Sequence, residues 1–315
     1  MLRPSRWALG EGFINVTKFT KILSLTEATG RCNGRRKADE GHIFLAGETM
    51  RRVFLDCTAG TGAWNMAVDE RLAEMVAEGT IDVAFRVYSW APACISLGRF
   101  QKAEDELDLG AVEREGIGLV RRATGGRAVW HHRELTYSLA ARVDNPLVSG
   151  DVKGSFAKVA EPLLAALNSV GIHAEVTSGE PPSEGKRLPG NPCFSTAGAY
   201  EIAVGGRKLV GSAQVKSNGV MLQHGSILFH NDQHRLLDFV PPGPGKERSA
   251  QMAGVLRASV VSLAELGFSG PGVLLREALI QSFSQWVPGG LQRWSSKDLL
   301  GPELDAMLAR KKALQ

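Results

Sequence analysis

Three apolar segments joined by two very short turns constrain the fold of this chain more than any other feature. The segments cover residues 199–204, 208–216 and 220–229. Gly205-Gly206 and Asn218-Gly219 separate them, and such dipeptides are typical of two-residue hairpin turns because both residues accept positive φ. The sequence therefore predicts two consecutive β-hairpins, which belong in an antiparallel sheet.

Helices and further strands are predicted on both sides of these hairpins. Apolar residues recur at steps of three and four over 64–78, and Gly79 ends the pattern, which indicates a helix with one buried face. Strands are predicted at 83–87, 94–97, 118–120 and 135–140, and helices at 156–170, 255–266, 273–286 and 299–314. Because proline lacks a backbone donor, Pro162 predicts a kink or a new helix start.

These elements do not alternate as strand–helix–strand units, which favours an α+β fold with a mixed, largely antiparallel sheet flanked by helices. We expect a main domain over 51–250 and a small C-terminal helical segment over 251–315. Residues 1–50 show little periodicity and are expected to be a disordered extension or the product of a misassigned start, with Met50 as the alternative initiator. A targeting peptide is less favoured, since the segment is not poor in acidic residues.

Charge and cysteine spacing argue against several classes of function. Residues 1–50 hold eight Lys or Arg and five Asp or Glu, which leaves 29 and 28 in the remaining chain, so no concentrated basic face points to nucleic acid. The cysteines are Cys32, Cys57, Cys94 and Cys193, and their spacing shows no CxxC pair or zinc pattern, so no metal is expected. Widely spaced cysteines, no long apolar stretch and no signal peptide favour a cytoplasmic protein without a membrane partner.

A segment rich in glycine and arginine is the first candidate for ligand binding. It contains Gly125, Gly126 and three arginines, Arg121, Arg122 and Arg127. Paired glycines let backbone N–H groups approach a ligand closely, and arginines supply fixed donors for an anionic or carbonyl group. The alternative interpretation is a plain turn with solvated arginines.

A cysteine and a lysine are the candidates for chemistry. Cys193 ends a turn-rich loop rather than lying in an apolar strand, which suits a nucleophile, although most free cysteines are small buried hydrophobic residues. Lys208 opens a hairpin strand whose packing does not need a lysine, and a solvated strand end is the alternative. The small residues near Lys208 and on the partner strand leave space for a substrate and are Gly211, Ser212, Ala213, His224 and Gly225.

Together these segments resemble the lipoate and biotin protein ligase superfamily, and within it the octanoyl-[acyl carrier protein] to protein N-octanoyltransferases whose cysteine precedes the lysine. The resemblance covers 52–229 and is carried by 64–70, 121–138, Cys193-Phe194, Tyr200-Glu201, 206–214 and 223–226. Cys193 lies fifteen residues before Lys208, as in these transferases, whereas ATP-dependent ligases of similar fold need no cysteine there. The implied fold is that of class II synthetases and biotin–lipoate ligases.

The resemblance implies an acyltransferase that uses Cys193 and Lys208 as catalytic residues and needs no cofactor. The implied donor is octanoyl-acyl carrier protein, and the implied acceptor is a lysine of a lipoyl domain, in the glycine cleavage H protein or a 2-oxo acid dehydrogenase subunit. The implied substrate-binding residues are Arg122, Gly125, Gly126, Arg127, His131, Gly211, Ser212, Ala213, His224 and Gly225.

Three alternatives stay open at the level of sequence. An ATP-dependent lipoate ligase would use residues 121–127 to hold the phosphate of an acyl adenylate. An amidotransferase would move octanoyl between lipoyl proteins through the same cysteine. A non-catalytic binder of lipoyl domains is suggested by His132, which stands where these families usually have an aspartate. By residue type alone, His131 and His132 are more commonly structural than catalytic.

Overall fold

The computed structural model describes residues 51–177, 201–241 and 245–312, with side chains of the last range from residue 252 onward. Cys193 and the expected extension over 1–50 lie outside these residues. The described strands are β1 (Arg52–Gly60), β2 (Val83–Trp90), β3 (Cys94–Leu97), β4 (Gly118–Arg121), β5 (Val129–His131), β6 (Glu134–Arg142), β7 (Glu175–Val176), β8 (Ile202–Val204), β9 (Arg207–Ser217), β10 (Val220–Leu228) and β11 (Gln292–Trp294).

Helices occupy much of the remaining described chain. They are α1 (Gly62–Ala77), α2 (Ala103–Glu106), α3 (Leu109–Arg114), α4 (Val152–Ser169), α5 (Gly245–Ser259), α6 (Gly272–Trp286) and α7 (Pro302–Lys312), with 3₁₀ helices at Gln233–Phe239 and Ser296–Leu299. In the described part of the chain, no helix is both long and apolar enough to cross a lipid bilayer.

One large mixed sheet organises the fold. Its strand order is β11-β1-β2-β6-β10-β9-β8-β7, and β1 runs parallel to both of its neighbours while the remaining pairs are antiparallel. A second sheet has three strands in the order β4-β3-β5, and these strands come between β2 and β6 in the sequence. The prediction of an α+β fold with a mixed, largely antiparallel sheet is confirmed.

The two predicted hairpins are present, and their turns have the backbone geometry that the glycines allow. Gly205 and Gly206 have φ of 56° and 73°, and Asn218 and Gly219 have φ of 51° and 74°. Positive φ at both central residues matches the right-handed twist of the flanking strands, so the turns fix the register of β8, β9 and β10. This register places Gly225 of β10 opposite Ser212 of β9.

Helices cover both faces of the large sheet. On one face, the ring of Phe283 in α6 stacks on Phe85 in β2 with centroids 3.9 Å apart, and α4 packs beside α6. On the other face, α1 buries Val68 and Leu72, and α7 adds Leu304. Each fully buried side chain of this kind stabilises the fold by roughly 1.5–3 kcal/mol. The sheet is therefore held rigid from both sides.

The structure corrects three details of the sequence interpretation. One unbroken helix, α4, runs through Pro162, so no new helix starts there; its buried face, which includes the proline, packs on the sheet and keeps the helix continuous. The helix expected over 255–266 ends at Ser259, because Val260 pairs with Lys208 and the Val261 amide donates to the Lys208 carbonyl at 2.9 Å. The C-terminal part also supplies β11, a short strand on the edge of the large sheet.

Candidate active site

A pocket opens where α1, the ends of β2, β3 and β5, and the middle of β9 and β10 meet. It is lined by Met66, Tyr88, Trp90, Ser96, Arg122, Val129, His131, Thr136, Gly211, Ser212, Ala213, His224, Gly225 and Ser226. Seven of the ten predicted substrate-binding residues stand on this wall, and the other three, Gly125, Gly126 and Arg127, follow Arg122 in the chain. A mostly apolar lining with a few converging polar groups is typical of small-molecule sites.

The glycine-rich segment is shaped by Arg122, which is buried. Its guanidinium donates to the carbonyls of Gly125 at 3.0 Å and Arg127 at 2.7 Å, and it also reaches the carbonyl of Ser96 at 3.0 Å. The interpretation of this segment as a turn with solvated arginines is therefore wrong for Arg122. Its burial is explained by the three carbonyls that it satisfies.

A second glycine keeps this segment close to β3. A Cβ built on Gly98 would overlap with the carbonyl oxygen of Gly126. The Arg99 amide donates to the Thr124 carbonyl at 2.9 Å, so the turn after β3 and the glycine-rich segment are tied together. Gly126 itself has φ of 96°, a conformation that favours glycine. The sequence interpretation did not single out Gly98.

A buried ionic network connects helix α1 to the glycine-rich segment. Asp69 of α1 accepts from Arg86 at 2.8 Å and from Tyr88 at 2.9 Å, and it lies 3.2 Å from Nδ1 of His224. The other ring nitrogen of His224 lies 2.7 Å from Thr124 Oγ1. The network therefore links α1 to the residue just before the two glycines.

The ionisation of this network follows from its surroundings. Burial by itself would raise the pKa of Asp69, but the Arg86 charge and the His224 hydrogen bond hold that pKa below its usual value. Burial raises the pKa of Tyr88, so its hydroxyl keeps its proton and donates to Asp69. Sequence reasoning missed Asp69 and Arg86 as site residues, although residues 64–70 were part of the resemblance.

Small residues on β9 and β10 leave the pocket open. A Cβ on Gly225 would come within 2.6 Å of both Ser212 Oγ and the Tyr137 ring, so no larger residue fits at this position without displacement. Ser212 Oγ in turn lies 2.8 Å from the Tyr137 hydroxyl. Gly211 and Ala213 line the pocket on the neighbouring strand.

Lys208 is buried, with 3% of its surface exposed, and it forms an ion pair with Glu201. The alternative of a solvated strand end is therefore wrong. A buried lysine needs a partner for its charge, and the carboxylate of Glu201 supplies one. Cys193, the other predicted catalytic residue, lies outside the described residues.

Two neighbouring histidines have different surroundings. The His131 ring stacks on Trp90 with centroids 3.9 Å apart and lines the pocket. His132 faces elsewhere, with Nδ1 3.1 Å from a carboxylate oxygen of Asp232, which also pairs with Arg133 at 3.0 Å. The carboxylate of Asp232 therefore lies beside His132, the residue that departs from the motif of the resemblance.

Neither described cysteine is suited to nucleophilic chemistry. Cys57 and Cys94 are both buried and free, and burial raises the pKa of each thiol. A thiol with a raised pKa carries little thiolate at neutral pH. Within residues 51–177, 201–241 and 252–312, no group of three or more His, Cys, Asp and Glu side chains is arranged to hold a metal ion.

Sequence comparison identifies the family to which this site belongs. The sequence profile of the lipoyl protein ligase A/B catalytic domain matches residues 61–284. Octanoyltransferase LipM of Moorella thermoacetica is 38% identical over 252 residues, which cover 78% of this chain and 91% of that protein. Octanoyltransferase LipM of Carboxydothermus hydrogenoformans is 36% identical and covers 84% of this chain and 96% of its own length.

Solved structures show the same fold. The bi-partite lipoate protein ligase of Thermoplasma acidophilum superposes with a TM-score of 0.64 at 21% identity, covering 83% of this chain and 92% of that chain. A lipoate-protein ligase A bound with ATP superposes with a TM-score of 0.61 at 23% identity, covering 84% and 94%. The chain therefore belongs to the lipoyl protein ligase A/B catalytic domain family, and its relatives within that family make it an acyltransferase.

Proposed function

We propose that this chain moves an octanoyl group from octanoyl-acyl carrier protein, through a thioester on Cys193, to a lysine of a lipoyl domain. Octanoyl transfer in lipoylation is supported by relatives of 36–40% identity over most of the chain. The structural observation that carries the proposed chemistry is the burial of Lys208, three residues before the pocket residue Gly211 on β9. A lysine in that position could exchange protons with the Cys193 thiol and the acceptor amine that the proposal brings to the pocket.

In the first half-reaction, the Cys193 thiolate attacks the octanoyl thioester of the carrier protein. A free cysteine titrates near about 8.5, so the ammonium of Lys208 would raise the fraction of thiolate at neutral pH. The new thioester forms as the bond to the carrier sulfur breaks, and the departing thiolate takes a proton from Lys208. One thioester replaces another, so no ATP is consumed.

In the second half-reaction, the neutral ε-amine of the acceptor lysine attacks the octanoyl thioester. As the amide forms, the nitrogen passes its remaining surplus proton to Lys208, and Cys193 leaves as a thiolate. The enzyme returns to the thiolate–ammonium pair with which it began. The carboxylate of Glu201 forms an ion pair with Lys208 in that resting state.

The proposed roles of the substrate-binding residues follow from their positions in and next to the pocket. Gly125 and Gly126 would present backbone N–H groups to the acyl carbonyl, in a segment held by Arg122. Gly211 and Ala213 would let the octanoyl chain lie along β9. Arg127, Ser212, His131, His224 and Gly225 complete the set that the resemblance implies for binding the substrate.

The acceptor is a lipoyl domain, of the glycine cleavage H protein or a 2-oxo acid dehydrogenase subunit. The reaction is proposed to take place in the cytoplasm, the compartment that the cysteine spacing favours. The division into an extension over 1–50, a catalytic domain over 51–250 and a helical segment over 251–315 stays a prediction.

The experiment that tests this function supplies the purified chain with three donors in separate reactions. Each contains an unmodified lipoyl domain and receives octanoyl-acyl carrier protein, octanoate with MgATP, or octanoylated H protein. We expect a mass increase of one octanoyl group on the lipoyl domain with the carrier protein alone. Transfer only with MgATP would show a ligase, transfer only from H protein an amidotransferase, and transfer in none of them a non-catalytic binder.

A further inference from the structure

A chain of buried polar side chains runs through the pocket wall from Arg122 to Glu134. Arg122 donates to Ser96 Oγ at 3.1 Å, and Ser96 Oγ lies 2.8 Å from Nε2 of His131. Nδ1 of His131 lies 3.3 Å from Ser226 Oγ, and Ser226 donates to Glu134. All five side chains belong to residues that are at most 6% exposed.

The carboxylate end of this chain fixes the direction of its hydrogen bonds as far as Nδ1 of His131. A guanidinium can only donate and a carboxylate can only accept. Ser226 therefore gives its one hydrogen to Glu134 and accepts from Nδ1–H of His131. Ser96 accepts from Arg122 with one lone pair, which leaves its hydrogen available to Nε2 of His131. The geometry therefore places a hydrogen on Nδ1 of the imidazole.

Burial and the charges around the ring favour the neutral imidazole, in which Nε2 accepts from Ser96. Burial lowers the pKa of His131, and the nearby charges of Arg122 and His224 lower it further, against the opposing influence of Glu134. Both ring nitrogens of His131 already have hydrogen-bond partners, so neither nitrogen is available to bind an acyl carbonyl or to transfer a proton. The part of His131 that lines the pocket is therefore the uncharged ring.

The same carboxylate also holds the ring on which His131 stacks. The Trp90 indole N–H donates to Thr136 Oγ1 at 2.8 Å, and the Thr136 hydroxyl donates to Glu134 at 2.7 Å. The Trp90 and His131 rings are nearly parallel, at 17°, with centroids 3.9 Å apart. Glu134 thus accepts hydrogens from both branches that orient this pair of rings.

We propose that Glu134 is a positioning residue for acyl transfer: through Ser226 it fixes His131 as the Nδ1–H tautomer, and through Thr136 it holds Trp90, so that the two stacked rings form an uncharged wall for the acyl chain. This assignment rests on the proposed function, because that function names the occupant of the pocket. It gives His131 a role in shape rather than in hydrogen bonding to the acyl carbonyl.

The test reads the tautomer directly. The full chain is labelled with ¹⁵N-histidine, and the couplings between the ring protons and the ring nitrogens are recorded from pH 6 to pH 8. The sequence contains seven histidines, so His131→Gln assigns the signal by its loss. We expect a neutral Nδ1–H ring throughout this range. An imidazolium or an Nε2–H ring near pH 7 in the parent protein would overturn the proposal.

Substitutions then test whether Glu134 acts through the ring. In Glu134→Gln, one acceptor oxygen becomes an NH2 group. With this group toward Ser226 and the remaining oxygen toward Thr136, Ser226 turns its hydrogen to Nδ1 of His131, and the ring becomes Nε2–H with Ser96 as its acceptor. We expect this change together with a fall in kcat for octanoyl transfer of about tenfold, less than the roughly 100-fold that a misplacement of about 1 Å can cost. Ser226→Ala is expected to lose the Nδ1–H signal, whereas Ser226→Thr keeps the hydroxyl and should retain it.

A matched control separates this effect from a loss of charge. Glu161→Gln makes the same chemical change on the exposed side of α4 and should alter neither the His131 signal nor the rate. An unchanged ring signal and rate in both Glu134→Gln and Ser226→Ala would contradict the proposal. If Glu134→Gln does not fold, the comparison of the His131 signal in Ser226→Ala and Ser226→Thr tests the proposal. Expected tautomers without any octanoyl transfer by the parent protein would instead overturn the proposed function.

Discussion

Lys208 and Glu201 form an ion pair across the first hairpin, in a place where the lysine keeps 3% of its surface exposed. The Gly205-Gly206 turn sets the pairing of β8 with β9, and this pairing brings Glu201, which directly precedes β8, next to the start of β9. A buried pair depends on both charges, since removing one leaves the other without compensation. The hairpin turn thus determines the surroundings of the proposed catalytic lysine.

Lys208→Arg separates the two roles assigned to this lysine. Arginine keeps a positive charge beside Glu201 but does not lose its proton in proteins, so it can stabilise a thiolate and cannot act as a base. We expect stability close to that of the parent protein and acylation of Cys193 that persists, with water in place of Lys208 as the proton source for the departing thiolate. Transfer to the lipoyl domain should fall by at least about 100-fold, within the range for a lost general base. Accumulation of acyl-enzyme, followed by mass spectrometry, measures the outcome. Transfer at the parent rate would rule out Lys208 as the base.

Lys208→Met tests the cost of leaving Glu201 without its partner. We expect a loss of about 3–5 kcal/mol in the free energy of unfolding, the range for breaking a buried ion pair. Lys208→Met combined with Glu201→Gln removes both charges and should regain much of that stability without regaining transfer. Urea unfolding of the two variants provides the comparison. Equal stability of the single and double variants would show that the pair is not coupled.

Asp69→Asn tests the network below the glycine-rich segment. Because the folded-state pKa of Asp69 is held below its usual value, its contribution to stability is complete above the unfolded value, near about pH 4, and is lost as pH falls through the folded value. We expect Asp69→Asn to lower the free energy of unfolding by about 3–5 kcal/mol at pH 7, since Arg86 loses its counter-charge.

Urea unfolding of Asp69→Asn and the parent protein at several pH values between 7 and 3 should show this difference narrowing below about pH 4. Asp144→Asn is the matched control, because Asp144 is an exposed carboxylate that pairs with Arg142 on the surface. An exposed pair of this kind contributes at most about 1 kcal/mol. A difference that stays constant down to pH 3 would mean that folding does not lower the pKa of Asp69.

Gly98→Ala tests the close approach of β3 to the glycine-rich segment. The added methyl group would overlap with the Gly126 carbonyl, which lies in backbone and cannot rotate away. We expect a folded protein whose octanoyl transfer falls by about tenfold or more, because displacement of aligned groups by an ångström costs up to about 100-fold. Gly254→Ala is the control, since a Cβ there meets no atom within 4 Å and alanine favours a helix. Equal rates for Gly98→Ala and the parent would show that the position of the glycine-rich segment does not affect catalysis.

Ala213→Leu tests whether the acyl chain lies along β9. A larger side chain on the pocket wall should exclude an octanoyl chain while leaving room for a shorter one. We expect kcat/KM for octanoyl-acyl carrier protein to fall by at least about tenfold, since one surplus methylene alone changes selection by 10–200-fold in apolar pockets. Assays with butanoyl- and octanoyl-acyl carrier protein measure the ratio. An unchanged preference for octanoyl over butanoyl donors would show that the octanoyl chain does not lie along β9.

The parts of the fold that the sequence predicts are those with strong local signals. Glycine and asparagine at the hairpin turns, and the spacing of apolar residues in α1, determine their local structure directly. The strand β11 carried no such signal, because two of its three residues are exposed and no alternation is visible. The end of α5 was also missed, since the chain leaves the helix to pair with Lys208, a contact set by tertiary structure.

The site was predictable only where residue types recur in a known motif. The resemblance pointed to Gly211, Ala213 and His224, which the fold brings to one pocket. Asp69, Arg86 and Glu134 were missed because a charged residue in a helix or strand normally faces solvent. Their burial depends on partners from distant segments, which no local pattern in one sequence reveals.

The mass of the intact protein after incubation with octanoyl-acyl carrier protein and no ATP tests the central claim most directly. The account predicts one octanoyl group, located on Cys193 by peptide mapping, absent from Cys193→Ala and released when an unmodified lipoyl domain is added. Cys57 and Cys94 should stay unmodified, because burial raises the pKa of both thiols. An octanoyl group at any other residue, or a Cys193→Ala variant that octanoylates the lipoyl domain at the parent rate, would contradict the account.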